Sequence, residues 1–410
     1  MSAIVFTPEQ ESAIALIKYA RFGLVTGGPG TGKTTIVSHA IADMSPDSVC
    51  LAAPTGKAAR RMSEAMEKAG ANVKRKAATV HRLLGYRGFE FVHNATTPLE
   101  AELVIVDESS MLDIQLAAAL FNAIGRHSRL ILVGDADQLP SVGPGRVFAD
   151  LLQYEPIPKV RLTIPQRAHD RVAWVNRNAP RVLCGEQPEL TTADDFEFVE
   201  VNATVDIPTA VRKVVEREQD TYVLSPQRTG YAGVYRLNAE LQPIRNLGVL
   251  DLPENAPCLR REHYTMHVGD WVLQTKNDYH RDVTNGEIGV IETISGTACT
   301  VRFDDERLVD YTNEQAFALE LAYALTVHKS QGSEYENVVV VIHSTHTRML
   351  TRKLLYTAIT RTRGKVTIIG DQKGLDTALR TKRDDDRNTT LLERLRGELE
   401  AVEDFGSARA

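Results

Sequence analysis

Cysteine is scarce and dispersed: Cys50, Cys184, Cys258 and Cys299 are the only four, and none belongs to a CxxC pair. That pattern implies neither a zinc site nor a disulfide framework, and it suits a reducing cytosol. Long apolar runs are missing as well. Stretches such as Val338 to Ile342 fall far short of the ~18 residues a membrane span needs, so no membrane partner is expected. Residues 1–15 carry Glu9 and Glu11 and lack the basic and apolar regions of a signal peptide. Nor is there an excess of positive charge. The 48 Lys and Arg face 54 Asp and Glu, a net charge of −6, which excludes a histone-like polybasic binder. No internal repeat, low-complexity tract or carboxylate cluster of metal-nuclease spacing stands out, so strand cleavage is not expected. The reading is a soluble cytoplasmic protein, and 410 residues suffice for about two to three domains.

What is present is an alternation. Short Val-, Ile- and Leu-rich runs at Phe22–Thr26, Val49–Ala53, Leu103–Val106, Leu130–Val133, Tyr222–Leu224, Val338–Ile342 and Val366–Ile369 are apolar on both alternations, as strands buried on two faces should be. Stretches of helical spacing lie between them, as in Thr34–Met44, where Ile36, Val37, Ala40, Ile41 and Met44 share a face. Alternating strand and helix predicts parallel sheets covered by helices. The runs fall before about residue 160 and after about 200, hence two α/β lobes. Residues 268–312 differ, being strand-like throughout, with turn signals at Asn285-Gly286 and near Gly296. They predict a small antiparallel barrel inserted in the second lobe. From Asp384 to Asp404 the chain is acidic, and Leu391, Leu392, Leu395 and Leu399 predict an amphipathic helix followed by a frayed tail.

Gly27-Gly28-Pro29-Gly30-Thr31-Gly32-Lys33-Thr34 fits GxxxxGK[ST], after a buried strand and before a helix. Its glycines let backbone N–H groups turn inward onto phosphate oxygens at the positive end of a helix. Gly28, Pro29, Gly30, Thr31, Gly32, Lys33, Thr34 and Thr35 are therefore candidate nucleotide ligands. Lys33 is placed to bridge the outer phosphates, and the Thr34 hydroxyl to ligate Mg²⁺. Leu103–Val106 delivers Asp107 and Glu108 at a strand end, where open parallel sheets bind ligands. Adjacent residues there face different ways, so Asp107 is assigned to Mg²⁺ through water and Glu108 to the base that activates water. By the same logic Gln138, in Gly134-Asp135-Ala136-Asp137-Gln138, is assigned to sensing the γ-phosphate or positioning water. The expected cofactors are ATP and Mg²⁺. Charge reverses locally. Residues 57–87 hold nine Lys or Arg against Glu64 and Glu67, a net of +7, and predict a polyanion groove.

Ordered through the chain, Thr7-Pro8-Glu9-Gln10, GGPGTGKTT (27–35), APTGKAARRM (53–62), TVHRLLGY (79–86), VIVDESSML (104–112), LILVGDADQLPSVGPG (130–145), VLSPQRTGYAG (223–233), GDWVLQTKNDY (269–279), LAYALTVHKSQGSEY (321–335) and LLYTAITRTR (354–363) resemble the motif series of superfamily 1B helicases, RecD-like and Dda-like. The resemblance spans nearly the whole chain. It implies two RecA-like P-loop lobes that clamp ATP between them and single-stranded DNA across them. The first lobe (1–160) would carry a wedge or pin insert at about 84–98, and the second (161–383) an SH3-like β-barrel insert at about 268–312. Residues 384–410 would form a C-terminal helix and tail.

By position, the resemblance assigns Gln10 to the adenine edge and Arg167 and Arg361 to the γ-phosphate. It assigns Pro54, Thr55, His81, Thr326, His328 and Lys329 to the nucleic-acid backbone, and Gly332 and Glu334 to the link between strand and nucleotide. Tyr86, Phe89 and Phe91 fall in the wedge, where a ring would stack on a base pair; simple packing of these rings on the lobe is the alternative. Gln166 stands where the family usually has an aromatic, which leaves adenine without a stacking ring. The short stretch before Thr7 favours the compact Dda-like form. The implied activity is ATP-dependent 5′→3′ translocation on single strands, with unwinding at single-strand/duplex junctions. The alternatives are a strand-stimulated ATPase that remodels nucleoprotein, or a motor subunit of a larger recombination complex. Replication or recombination proteins are the expected partners, and the chain is expected to be a monomer in the cytoplasm, or the host cytoplasm if phage-encoded.

Overall fold

A computed structural model describes residues 5–71, 73–166, 172–218, 220–253, 255–278, 280–304, 306–383, 387 and 389–397. They fall into two compact units. The first comprises the residues up to Pro54, Ala58–Gln166 and those from Arg383 onward. The second comprises Thr55–Lys57 and the residues up to Lys382.

In the first unit, β1 (Phe22–Gly27), β2 (Val49–Ala53), β3 (Ala78–Thr79), β4 (Leu103–Val106), β5 (Arg129–Gly134) and β6 (Lys159–Leu162) form one parallel sheet in the order β3-β2-β4-β5-β1-β6. Alternate residues enter opposite cores: Leu24, Val104, Val106, Leu130 and Leu132 pack on one face, and Val25, Leu103, Ile105, Ile131 and Val133 on the other. This two-sided burial is why these runs show no polar alternation. The covering helices are α1 (Pro8–Tyr19), α2 (Lys33–Ile41), α3 (Gly56–Lys68), α4 (Val80–Leu83), α5 (Ile114–Ala123) and α6 (Val147–Gln153). Thr7 caps α1 through a reciprocal capping box with Gln10. The Asp113 carboxylate caps α5 by accepting from Leu116 N–H at 2.8 Å.

The second unit holds helices α7 (Ala173–Cys184), α8 (Ile207–Arg217), α9 (Val234–Arg245), α10 (Arg352–Ile359) and α11 (Gln372–Arg380). Its strands are β7 (Phe196–Glu200), β8 (Thr221–Ser225), β9 (Leu259–Arg260), β10 (Thr265–Met266), β11 (Trp271–Gln274), β12 (Ile288–Ser295), β13 (Ala298–Phe303), β14 (Leu308–Tyr311), β15 (Leu319–Leu321), β16 (Ala324–Thr326), β17 (Asn337–Ile342) and β18 (Val366–Gly370). A parallel sheet runs β16-β8-β17-β18-β7, and a separate antiparallel sheet runs β14-β13-β12-β11-β15. The antiparallel texture expected over 268–312 extends to Leu321, because β15 pairs with β11. The turn glycines Gly286 and Gly296 take left-handed φ of 96° and 60°.

Part of the segment expected as an amphipathic helix and tail packs on the first unit. There α12 (Leu391–Arg396) lays Leu391 and Leu395 against that unit's core. Leu399 lies outside the described residues.

A buried carboxylate ties the second unit's antiparallel sheet to α9. Asp270 is fully buried and accepts from Gln242 Nε2 (2.6 Å), Asn246 Nδ2 (2.8 Å), His267 N–H (2.7 Å) and the Tyr323 hydroxyl (2.8 Å). Burial, followed by the Asp270 charge, pushes the Tyr323 phenol well above its usual range. Replacing Asp270 with Ala leaves several donors without an acceptor. Asp270→Ala is expected to lower stability by about 3 kcal/mol in urea denaturation; a loss below about 1 kcal/mol would show that the hub is not structural.

Candidate functional site

The phosphate loop of the first unit follows β1. Gly32 sits at φ 85°, ψ 17°, and an added Cβ would stand 2.9 Å from Gln10 Nε2, so only glycine fits this turn. Thr31, buried, closes the curl by donating its hydroxyl to Gly28 O at 2.8 Å. Gly32 caps α2 with no side-chain hydrogen bond, so the first-turn N–H groups remain available to an anion. Lys33 Nζ lies on the loop's own carbonyls, 2.7 Å from Gly27 O and 3.0 Å from Gly28 O. An ammonium held among carbonyls can turn to phosphate with little reorganisation. Gln10 is buried against the loop, accepting from Thr7 N–H at 3.0 Å and donating to Thr31 O at 3.2 Å. Gln166, exposed, donates its N–H to Gly30 O at 2.7 Å. Glu9, which holds Thr163 through its N–H and hydroxyl at 2.7 and 2.6 Å, is a supporting contact that the sequence did not flag. These two hydrogen bonds hold the Glu9 carboxyl below its ordinary range.

Two neighbouring strand ends complete the site. Because β4, β5 and β1 are adjacent in the sheet, their C-terminal loops emerge side by side. Asp107 Oδ1 accepts from Glu108 N–H at 2.7 Å, while Glu108 itself takes a left-handed backbone, φ 52° and ψ 35°. This conformation is uncommon for a residue with a side chain and clusters at functional sites. Gln138 is buried, with Nε2 donating to Asp135 Oδ2 at 3.0 Å and its Oε1 left without a partner. A buried amide oxygen with no donor calls for a missing one, such as an attacking water. Asp135, which fixes that amide, carries no signal of this role in the sequence.

The donors available for a cation, the Thr34 hydroxyl and the Asp107 carboxylate, are all oxygen, which suits the hard ion Mg²⁺. Among the described residues no group of three or more His, Cys, Asp or Glu could hold a metal alone.

The remaining candidates divide between the units. Pro54 ends the first unit's share of the 53–62 motif, and Thr55 belongs to the second. His81, on α4, meets Tyr86 edge-on and Phe91 at a tilt, at centroid distances of 5.5 and 6.0 Å, and its Nδ1 is buried without a partner. Burial lowers its pKa, opposed by the Asp113 charge. Around Gly88 (φ 93°) the chain makes a tight turn closed by a single antiparallel bridge, Tyr86 to Phe91. Of its three rings, Tyr86 is exposed beside His81, and the other two part company. Phe89 is fully exposed, whereas Phe91 packs on the first unit's core. Phe91 is half-buried there.

In the second unit, Thr326 ends β16 and its hydroxyl accepts from Lys329 N–H at 3.3 Å. His328 and Lys329 form the short turn that follows. Lys329 Nζ is engaged by Glu320 at 2.6 Å, and burial lowers its pKa. Gly332 takes φ 71°, and Glu334 accepts from Arg363 Nε at 2.9 Å. Arg361 is buried and donates to Thr357 O (3.0 Å) and Ser333 O (3.2 Å). Its guanidinium thus braces the 332–334 loop of its own unit. Arg167 lies outside the described residues.

Residues 10–144 match the family model described as an AAA domain, and residues 321–369 the one described as a UvrD-like helicase C-terminal domain. Over 95% of its length the chain is 37% identical to the ATP-dependent RecD2 DNA helicase of Deinococcus radiodurans, of which it covers 52%; it spans about half of that relative. The RecBCD enzyme subunit RecD of Mycolicibacterium smegmatis is 31% identical over 95% of this chain and 75% of its own length. Among solved structures, Pif1 helicase from Bacteroides in complex with ADP-AlF3 and single-stranded DNA covers 94% of this chain and 97% of its own at 21% identity, with a TM-score of 0.57, a likeness of fold.

If Glu108 is the base and no phosphate ligand, Glu108→Gln leaves ATP affinity nearly intact and cuts turnover by ~10²–10⁴-fold. Nucleotide titration beside steady-state hydrolysis separates the two, and equal loss of binding and turnover would remove that role.

Proposed function

The chain belongs to the RecD family of superfamily 1B helicases, and from that premise we propose that it is an ATP-dependent DNA helicase that translocates 5′→3′ on single-stranded DNA and opens duplex ahead of it. The observation that carries the reading is the convergence of Lys33, the Asp107–Glu108 pair and Gln138 on adjacent strand ends. In the proposed cycle, Lys33 and the loop amides hold the β- and γ-phosphates. Thr34, and Asp107 through water, would hold Mg²⁺, which would neutralise charge developing on the phosphates. Gln138 orients the attacking water through its free amide oxygen, and Glu108 accepts the proton. Arg167 and Arg361 answer the γ-phosphate; for Arg361 this means exchanging a carbonyl partner for an anion. Gln10 reads the base, and Gly332 and Glu334 link nucleotide to strand.

Backbone contacts from Pro54, Thr55, His81, Thr326, His328 and Lys329 suit a motor, because phosphates repeat and carry no sequence information. Phe89, exposed at the turn tip, is the ring proposed to meet the junction. The β11–β15 sheet is proposed as an SH3-like insert that holds the strand. A monomeric cytoplasmic motor working with replication or recombination proteins completes the proposal. The RecD subunits among the relatives favour a second reading, a motor subunit of a larger recombination complex.

A duplex with a 5′ tail should be unwound and one with a 3′ tail should not, and Lys33→Ala should abolish both unwinding and hydrolysis. Hydrolysis stimulated by single strands with neither tail unwound would favour a remodelling ATPase. Unwinding only after a second protein is added would favour the subunit.

A further inference from the structure

The segment that returns to the first unit makes a specific contact far from it in sequence. Arg387 Nη1 donates to two carbonyls at once, Gly143 O and Gly145 O, each at 2.9 Å. The same two carbonyls accept the Ser141 hydroxyl, at 3.0 and 3.4 Å. A guanidinium above and a hydroxyl below thus fix the turn Ser141–Arg146, whose Gly145 sits at φ 92°. Bonds of this kind from an ionised donor are among the stronger ones.

The turn matters because of what it joins. It begins three residues after Gln138, and Ser141 is buried with it. On its other side it abuts the head of α5. Ile114 N–H donates to Pro144 O at 2.9 Å, and a Cβ on Gly143 would stand 2.5 Å from Asp113 Oδ2. Asp113 is reached from Glu108 through the single turn Ser109–Met111, and Gly134 approaches the N–H groups of that turn so closely that a Cβ there would sit 3.1 Å from Ser109 N. A second tie holds the strap down. The fully buried Asp150 accepts from Arg146 Nε at 2.8 Å and from the Thr389 hydroxyl at 2.9 Å, and Leu391 and Leu395 pack on the core beyond.

We infer that Arg387 is a positioning residue for hydrolysis: it sets the Ser141–Arg146 turn and, through it, the placement of Gln138 against the reacting phosphate. The inference rests on the water-orienting reading of Gln138. A displaced sensor lowers the rate of the chemical step and leaves nucleotide affinity, set by the phosphate loop, nearly unchanged.

The test is a double-mutant cycle on ATP hydrolysis by the full chain with a dT oligonucleotide, using Arg387→Ala, Arg387→Lys, Gln138→Ala and the Arg387→Ala/Gln138→Ala pair. Arg387→Ala should lower kcat about tenfold with KM for ATP within about twofold, and Arg387→Lys should restore most of the loss. In the Gln138→Ala background the Arg387 substitution should cost nothing further. Should Arg387→Ala fold poorly, Thr389→Val loosens the same strap more gently and should show a smaller fall in kcat, also absent without Gln138. Equal fold-losses in both backgrounds, or a lowered Tm with kcat at the wild-type value, would overturn the inference alone. Gln138→Ala turning over like wild type would overturn the reading of Gln138 and this inference with it.

Discussion

The left-handed turn at Gly32 is the constraint on which the rest of the candidate site depends. It lets the chain leave β1, bend back over itself and enter α2 with unbonded N–H groups pointing into the bend. Thr31 and Gln10 hold that shape from inside, and Lys33 rests on the loop's own carbonyls. An anion entering the bend therefore meets donors already placed, with one ammonium to turn. The neighbouring loops add what a bare phosphate site lacks. One brings two adjacent acids, with Glu108 in a left-handed backbone, and the other a buried amide whose oxygen has no partner.

Both units use the same device, a parallel sheet buried on two faces, but they are stabilised differently at their loops. The first unit relies on capped helices and on contacts from Arg387, Thr389 and α12. The second relies on the buried Asp270 hub, which locks its antiparallel sheet to α9 by hydrogen bonds rather than by apolar contact alone. Its ATP-linked candidates, Gly332, Glu334 and Arg361, form a local lattice of their own in which Arg361 and Arg363 clasp the loop that precedes β17.

What could be read in the sequence was local. The two-sided apolar runs became β1, β2, β4, β5, β8, β17 and β18 because burial on both faces leaves a continuous signal, and GGPGTGKTT gave the phosphate turn because its geometry is encoded within eight residues. The edge strand β7, half exposed and mixed in composition, left no such signal. Nor did β15, a three-residue strand that extends the antiparallel sheet beyond 312. Contacts between distant positions were invisible for a stronger reason. Nothing near Arg387 announces a partner some 244 residues away, and Asp270 reads as a surface acid until Tyr323 and Asn246 are folded onto it. The rings of the 86–91 turn divided by packing, Phe89 outward and Phe91 inward, because apolar type alone does not say which side of a tight turn faces the core.

The measurement that bears most directly on this account is the affinity of Gly32→Ala for a fluorescent ATP analogue, titrated beside wild type with Tm recorded for both. A methyl group at this left-handed turn crowds Gln10 and opens the bend, so binding should weaken by at least about tenfold while Tm stays close to wild type. An unchanged affinity would show that nucleotide is held elsewhere, and the convergence of the three strand ends would lose its meaning.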